Sequence, residues 1–269
     1  MIIDFHAHIF PKEIAGKVIK RAGEREPPEG CRPLKALTNG TLEGLKDSMK
    51  EAGIDYTVIL PVATKPSQFT AINKYAAEIT GKAGIISFGG IHPDTLDYKL
   101  ELDQIKALGL KGLKLHPDHQ ETFVDDPKIA DIINHAAKLG LIVVLDTGKS
   151  SGYPIARCTP RRIQNLLKEA DCSKVVMAHT GGYLCWDDAE EFIIGQKFLI
   201  DISYSIAHME EAQFQRIVRN HGISKVLFAS DSPWGGQKET LADIRKLDFT
   251  EEELEQILYG NGAKLLNLI

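Results

Sequence analysis

Histidine and aspartate recur at the ends of short apolar runs in this chain, and that placement is where chemistry first shows. The opening run, MIIDFHAHIF, carries His6 and His8 with one residue between them. Side chains on a strand alternate between faces, so the run predicts Asp4, His6 and His8 on one face and Phe5, Ala7 and Ile9 on the other. Later runs end alike: GGIHPD with His92, GLKLHP with Lys114 and His116, VVLDTG with Asp146, VMAHTGG with His179, and LFASDSPWGG with Asp231. Of nine histidines, five sit at such ends. His135, His208 and His221 fall in helical stretches and His119 in a loop.

Imidazoles and carboxylates converging from several strands suit Zn²⁺ and neighbouring transition metals, and a catalytic site keeps one position open for water. The metal lowers the pKa of that water toward ~7. One divalent metal per chain is the expectation, zinc first, with manganese or iron as alternatives.

These ends need a scaffold that brings them together. Eight apolar runs are separated by helical signals: Ile2–Ile9, Tyr56–Val62, Ile85–Ile91, Gly112–Leu115, Leu141–Leu145, Val175–Ala178, Phe198–Ile202 and Val226–Ala229. Most are rich in Ile, Val and Leu without clean alternation, as in strands covered on both faces. Asp126-Pro127 and Thr159-Pro160 read as helix starts, Gly140 as a stop, and Thr250 with Glu253 as a capping box. Eight strand–helix repeats in 269 residues match a (β/α)₈ TIM barrel, whose usual size is about 250 residues. A doubly wound open sheet is the structural alternative. No linker divides the chain, so residues 1–269 form a single domain. Residues 21–40, polar and broken by prolines, are expected either to fold over the barrel mouth as a lid or to run as a solvated excursion.

Composition excludes some partners. The chain is 43% hydrophobic and 26% charged, with a net charge of −5. That balance argues against nucleic acid and anionic membrane, and leaves a small-molecule substrate. No apolar run approaches the ~18 to 20 residues that span a bilayer. The N-terminus carries no signal-peptide pattern. Four scattered cysteines without a C-x-x-C pair suit reduced thiols in a cytoplasm.

The D-x-H-x-H, G-L-K-L-H-P, A-H-T-G-G and S-D-S-P-W segments resemble the amidohydrolase superfamily, most of all the amidohydrolase-related branch that includes aminocarboxymuconate semialdehyde decarboxylase. The C-terminal ILYGNGAKLLNL resembles that branch as well. The resemblance implies a (β/α)₈ barrel, one metal held by His6, His8 and Asp231, and His179 orienting or polarising the substrate or the water. It also implies a homodimer. One departure matters: where the family carries a histidine in H-T-G, this chain reads Asp146-Thr-Gly. Asp146 could ligate in its place, giving two histidines and two aspartates and favouring Mn²⁺ or Fe²⁺ beside Zn²⁺. Alternatively the metal is held weakly, or His116 swings in.

Plainer roles stand beside these. Aspartate after a strand often caps the next helix, which is the alternative for Asp231. His92 and His116 line the pocket or merely cap and pack. A buried Lys114 needs a partner, a substrate carboxylate or Asp146. Binuclear relatives carboxylate an inward lysine to bridge two metals, a device the single-metal branch does not use. Arg157 and Arg161 hold a substrate carboxylate or face solvent. Trp186, Trp234, Tyr153 and Tyr183 wall the pocket or simply pack. Two short patterns are rejected. Gly148-Lys-Ser-Ser-Gly152 fits a nucleophile elbow, but Tyr153-Pro154 follows where a helix must begin. Asp-Thr-Gly-Lys-Ser lacks the first glycine of a phosphate loop.

The expected function is a metal-dependent hydrolase in which activated water attacks the carbonyl of an amide, ester or lactone. Asp231 would move the proton and His179 would stabilise the oxyanion. Metal-dependent decarboxylation on the same site is the alternative, marked by a carboxylate clamp of Arg157, Arg161 and Lys114. A ligand-binding barrel without catalysis is a third.

Overall fold

Short runs of Ile, Val and Leu form strands that are parallel throughout: β1 (Ile3–Ala7), β2 (Tyr56–Ile59), β3 (Ile85–Ser87), β4 (Gly89–Gly90), β5 (Gly112–Leu115), β6 (Ile142–Leu145), β7 (Val175–Met177), β8 (Leu199–Asp201) and β9 (Val226–Leu227). The computed structural model describes residues 1–29 and 31–269. The run expected over Ile85–Ile91 is split at Phe88 into β3, which pairs with β2, and β4, which pairs with β5. Phe88 N–H still bonds to Ile59 O at 2.9 Å, so the two pieces continue one another.

The first and last strands meet. Phe5 N–H donates to Phe228 O (2.9 Å), Asp231 N–H to His6 O (2.8 Å) and His8 N–H to Ser232 O (2.6 Å), beside a parallel bridge between Ala7 and Ser232. These bonds join the two ladders into the TIM barrel and exclude the open doubly wound sheet. Helices follow the strands as the sequence signals direct. Asp126 caps the helix Pro127–Leu139 by accepting from Lys128 N–H, and Gly140 ends it with φ +73°. Thr250 and Glu253 form the reciprocal capping box. Thr159 precedes Pro160 without a side-chain cap.

Two apolar layers hold the barrel. Ile3, Phe5, Val58, Leu60, Phe88, Val144, Val176 and Leu227 fill its interior, with Phe5 edge-on to Phe88 at 5.9 Å between centroids. Alternating neighbours, such as Leu113, Leu115, Val143, Leu145 and Met177, pack outward against the helices. Burying each such side chain contributes about 1.5–3 kcal/mol.

The alternation expected for β1 fails at one place. Asp4 pairs with Thr57 and Ala7 with Ile59, so three steps on β1 match two on β2. This bulge inserts one residue and re-aims the side chains beyond it. Phe5 joins the interior core, and His6 nevertheless points inward. Asp4 therefore does not share the histidines' environment. It accepts from Ser230 N–H (2.9 Å), Ser230 Oγ–H (2.7 Å) and Gln237 Nε2–H (2.8 Å), which ties β1 to the helix Gln237–Ile244. Burial pushes the Asp4 carboxyl up to about 6 against these bonds.

The segment after the first helix does lie over the mouth. Arg25 bonds to His119 (2.8 Å), Glu26 O accepts from Gly152 N–H (2.7 Å), and Leu37 N–H donates to Pro233 O (2.7 Å). Gly30, within the expected lid, lies outside the described residues.

Candidate active site and metal centre

His6, buried completely, anchors the site. Its Nδ1–H donates to the Asp201 carboxylate at 2.9 Å, which leaves the Nε2 lone pair facing inward. His8 is fixed alike by Nδ1–H to Leu60 O at 2.8 Å. The two bare Nε2 atoms lie 3.1 Å apart, and Asp231 Oδ1 stands 3.2 Å from His8 Nε2 and 3.6 Å from His6 Nε2. Three electron-rich atoms in mutual contact repel unless a cation lies among them. The donor set, two neutral imidazoles and one carboxylate with hydrogen-bonded backs, fits a divalent transition metal. Burial, reinforced by Lys114, holds the His6 pKa down at about 4, so the ring is neutral as a ligand must be.

A second set shares His6. Asp146 and His179 form with it another group of close donor atoms. Asp146 Oδ2 accepts from Lys114 Nζ (2.8 Å) and His179 Nε2 (3.3 Å), while Oδ1 faces His116 Nε2 (3.4 Å). Burial acts to raise the Asp146 pKa, but His116, Lys114 and His179 hold it well below the usual carboxylate range. His179 is its counterpart. Burial lowers its pKa, yet Asp146 above all, with Asp231 and Asp201, outweighs that and lifts it to about 9. Its Nδ1–H donates to Ser203 O at 3.0 Å. Lys114, fully buried at the barrel's centre, also lies 3.2 Å from His6 Nε2. It has the partner a buried ammonium requires, and the partner is Asp146 rather than a substrate.

Backbone strain marks the same residues. Asp231 has φ +67°, and His179 and Thr180 each have φ +57°. Side chains in this region cost of order 1–3 kcal/mol each and persist where the surroundings enforce them. The Asp231 carboxylate faces the histidines, and the next helix starts at Gly236 without a side-chain cap, so Asp231 does not serve it.

Other residues distribute more widely. His116 stacks on His119 at 3.7 Å with planes 7° apart, and Arg25 donates to His119 Nε2. Burial lowers both imidazoles, His116 to about 3. His116 Nδ1 is buried without a hydrogen-bond partner among the described residues, a polar atom beside the centre. Trp234 lines a cavity of about 650 Å³ with Tyr204, Cys31 and Leu37. Trp186 packs, donating Nε1–H to His179 O at 3.0 Å. His92 accepts from its own turn, Asp94 N–H at 3.1 Å, and is not brought to the centre by any bond among the described residues. Arg157 lies over the Phe123 ring, and Arg161 over Phe192 beside Asp188, so the expected clamp with Lys114 does not form. Gly148, part of both rejected patterns, has φ +92°, and a Cβ there would fall 2.2 Å from Tyr183 N. Its role is close packing of two loops.

The sequence reading missed Asp201, Ser203, His119 and Arg25. Asp201 ends the run FLID, the same signal that singled out Asp146 and Asp231. Burial opposes its ionisation, but His6 and His179 hold its pKa down at about 2. Ser203 Oγ donates to Asp201 and lies 3.1 Å from His6 Nδ1 and 3.0 Å from His179 Nδ1, tying the two rings together.

With this geometry in place, comparison with known proteins is decisive at one level. The family described as Amidohydrolase matches residues 3–268. The chain belongs to the amidohydrolase family. An enzyme, hydrolase or carboxy-lyase, is the class this membership gives. No curated protein sequence matches the chain. Among solved structures, 5-carboxyvanillate decarboxylase from Sphingomonas paucimobilis is 15% identical, with 99% of this chain and 98% of that chain covered and a TM-score of 0.72. The 5-carboxyvanillate decarboxylase of Novosphingobium aromaticivorans, solved with bound manganese, is 12% identical over 99% and 97% of the chains, with a TM-score of 0.72. A probable 2-pyrone-4,6-dicarboxylic acid hydrolase from Acinetobacter baumannii is 17% identical over 99% of each chain, with a TM-score of 0.62. These likenesses show that this amidohydrolase shares their fold. No helix of the described residues is long and apolar enough to cross a membrane.

Proposed function

We propose that this amidohydrolase is a metal-dependent hydrolase acting on the carbonyl of a small amide, ester or lactone. The observation that carries the reading is the apposition of His6 Nε2, His8 Nε2 and Asp231 Oδ1, each within 3.6 Å of the others. These three would hold the ion, with Asp146 as a fourth donor through the second set that shares His6. Zinc is the first candidate, and a site with two carboxylates also suits manganese or iron. A divalent cation there supplies Lewis acidity and acidifies bound water.

The chain's own groups do the rest. Asp231 takes the proton of the attacking water and returns it to the leaving group. His179, its Nδ1–H held by Ser203 O, would turn its Nε2–H from Asp146 to the charge that develops on the carbonyl oxygen. His116, whose Nδ1 has no partner among the described residues, lies beside Asp146, and Trp234 lines the cavity that would admit a substrate. Hydrolysis is favoured over decarboxylation because Arg157 and Arg161 face away and Lys114 is neutralised by Asp146.

Decarboxylation is kept as the second reading by Arg25. Its guanidinium reaches the His116–His119 stack from the segment over the mouth, where it offers one cation to a substrate carboxylate. The two decarboxylases that share the fold agree with that option. The experiment is a panel of lactones, esters, amides and carboxylated aromatics offered to zinc- or manganese-loaded enzyme, with acid release and CO₂ release followed separately. Acid release abolished in Asp231→Asn supports hydrolysis. Release of CO₂ alone overturns it in favour of the second reading.

A further inference from the structure

At the opposite end of the barrel from the histidines, a cavity of about 520 Å³ opens beneath the strands. Five lysines line it, Lys106, Lys111, Lys174, Lys225 and Lys264, and no carboxylate of the described residues does. Three of them occupy equivalent places: Lys111 immediately precedes β5, Lys174 precedes β7 and Lys225 precedes β9. Alternate strands thus each deliver one ammonium to the same rim. Ile142 and Leu199, at the starts of β6 and β8, form the apolar floor between them.

The positive charge is not neutralised locally. The described lysine–carboxylate pairs use Lys20, Lys114, Lys128, Lys238 and Lys246, none of these five. Two of the five are steadied by neutral groups only. Lys111 Nζ donates to Leu266 O, and Lys225 Nζ to Gln196 O (2.6 Å) and Gly195 O (3.2 Å). Burial lowers the Lys225 pKa, with no anion to offset it. A chain whose net charge is −5 has gathered five cations around one hollow. A bound anion would relieve their mutual repulsion.

We propose that this basal cavity binds a small polyphosphate-bearing anion. Several point-charge donors arranged in a ring suit the many oxygens of a polyphosphate, and Ser173 and Ser224 add hydroxyl donors on the rim. The volume falls within the range of small-ligand pockets, about 300–1,000 Å³. The shared chemistry is the polyphosphate group, whether free or carried by a nucleotide.

The test is isothermal titration of the full-length enzyme with inorganic tripolyphosphate and with ATP at constant ionic strength. The comparison variant is Lys174→Glu/Lys264→Glu, which reverses two exposed charges on separate elements, with Lys50→Glu as a control elsewhere. Saturable binding at one site per chain is expected. Affinity should fall by about tenfold or more in the double variant, the loss of two charge-assisted hydrogen bonds, and stay unchanged in the control. Equal affinity for the two probes identifies the polyphosphate group itself as the ligand, and much tighter ATP binding identifies a nucleotide. No saturable binding of either probe, or binding unchanged in the double variant, overturns the proposal. Neither result depends on the reaction at the other end of the barrel.

Discussion

His6 Nε2 and His8 Nε2 face one another at 3.1 Å with neither ring's own proton between them, because each ring has committed its Nδ1–H to an acceptor behind it. For His6 that acceptor is Asp201, whose carboxylate fixes the tautomer from β8, two places round the barrel from β1. The proposed metal site is thus built from outside inward: Asp201 and Ser203 set His6, the bulge in β1 aims it, and Asp231 closes the set.

Asp201→Asn tests that order. The amide keeps the volume but accepts less strongly and can present an N–H to His6 Nδ1. Affinity for the cation should fall about 10- to 100-fold, the usual effect of removing a ligand's hydrogen-bonded support. Competition against a fluorescent chelator measures it. Unchanged affinity would show that His6 is oriented by packing alone.

The Lys114–Asp146 pair gives a second prediction, read in stability. Both groups are buried and 2.8 Å apart. Lys114→Met leaves the carboxylate without its main cation and should cost about 3–5 kcal/mol in urea unfolding of metal-stripped protein. Lys114→Met combined with Asp146→Leu should cost markedly less than the sum of the two single changes. Additive losses would mean that the pair is not coupled.

Much of this site was legible in the sequence, and its failures have physical causes. Strand ends advertise themselves through polar residues closing apolar runs, so His6, His8, His116, Asp146, His179 and Asp231 could be picked out without coordinates. Their partners from distant parts of the chain could not. The bonds from Asp201 to His6 and from Arg25 to His119 join residues 195 and 94 positions apart, and no local pattern encodes such distances. The misplacement of Asp4 has another origin: a single-residue bulge defeats any argument from strict alternation. Arg157 and Arg161 were candidates for a clamp only by type. In the fold, stacking on Phe123 and Phe192 gives them apolar support outside the site.

Away from the site, His221 should govern part of the acid sensitivity. Its Nε2–H donates to Phe198 O (2.9 Å) and its Nδ1 accepts from Gly195 N–H (3.2 Å), an arrangement only the neutral ring can make. Burial, helped by Lys225, lowers its pKa from 6.5 to about 4. The unfolded chain therefore takes up a proton at a higher pH than the folded one. The contribution is fully present above about pH 6.5 and is lost as pH falls toward 4, by up to about 3 kcal/mol. The Tm of His221→Gln should be lower at pH 7.5 but decline less steeply between pH 6.5 and 4.5. Parallel curves for the two proteins would remove His221 from the account.

The central claim is that His6, His8 and Asp231 hold a divalent cation. Elemental analysis by plasma mass spectrometry of protein purified without added metal or chelator tests it most directly. About one equivalent of zinc, manganese or iron per chain is expected in the natural sequence, with most of it lost in His8→Ala and in Asp231→Ala. Less than about a tenth of an equivalent, not restored by soaking in those metals, or full occupancy in both variants, would contradict it.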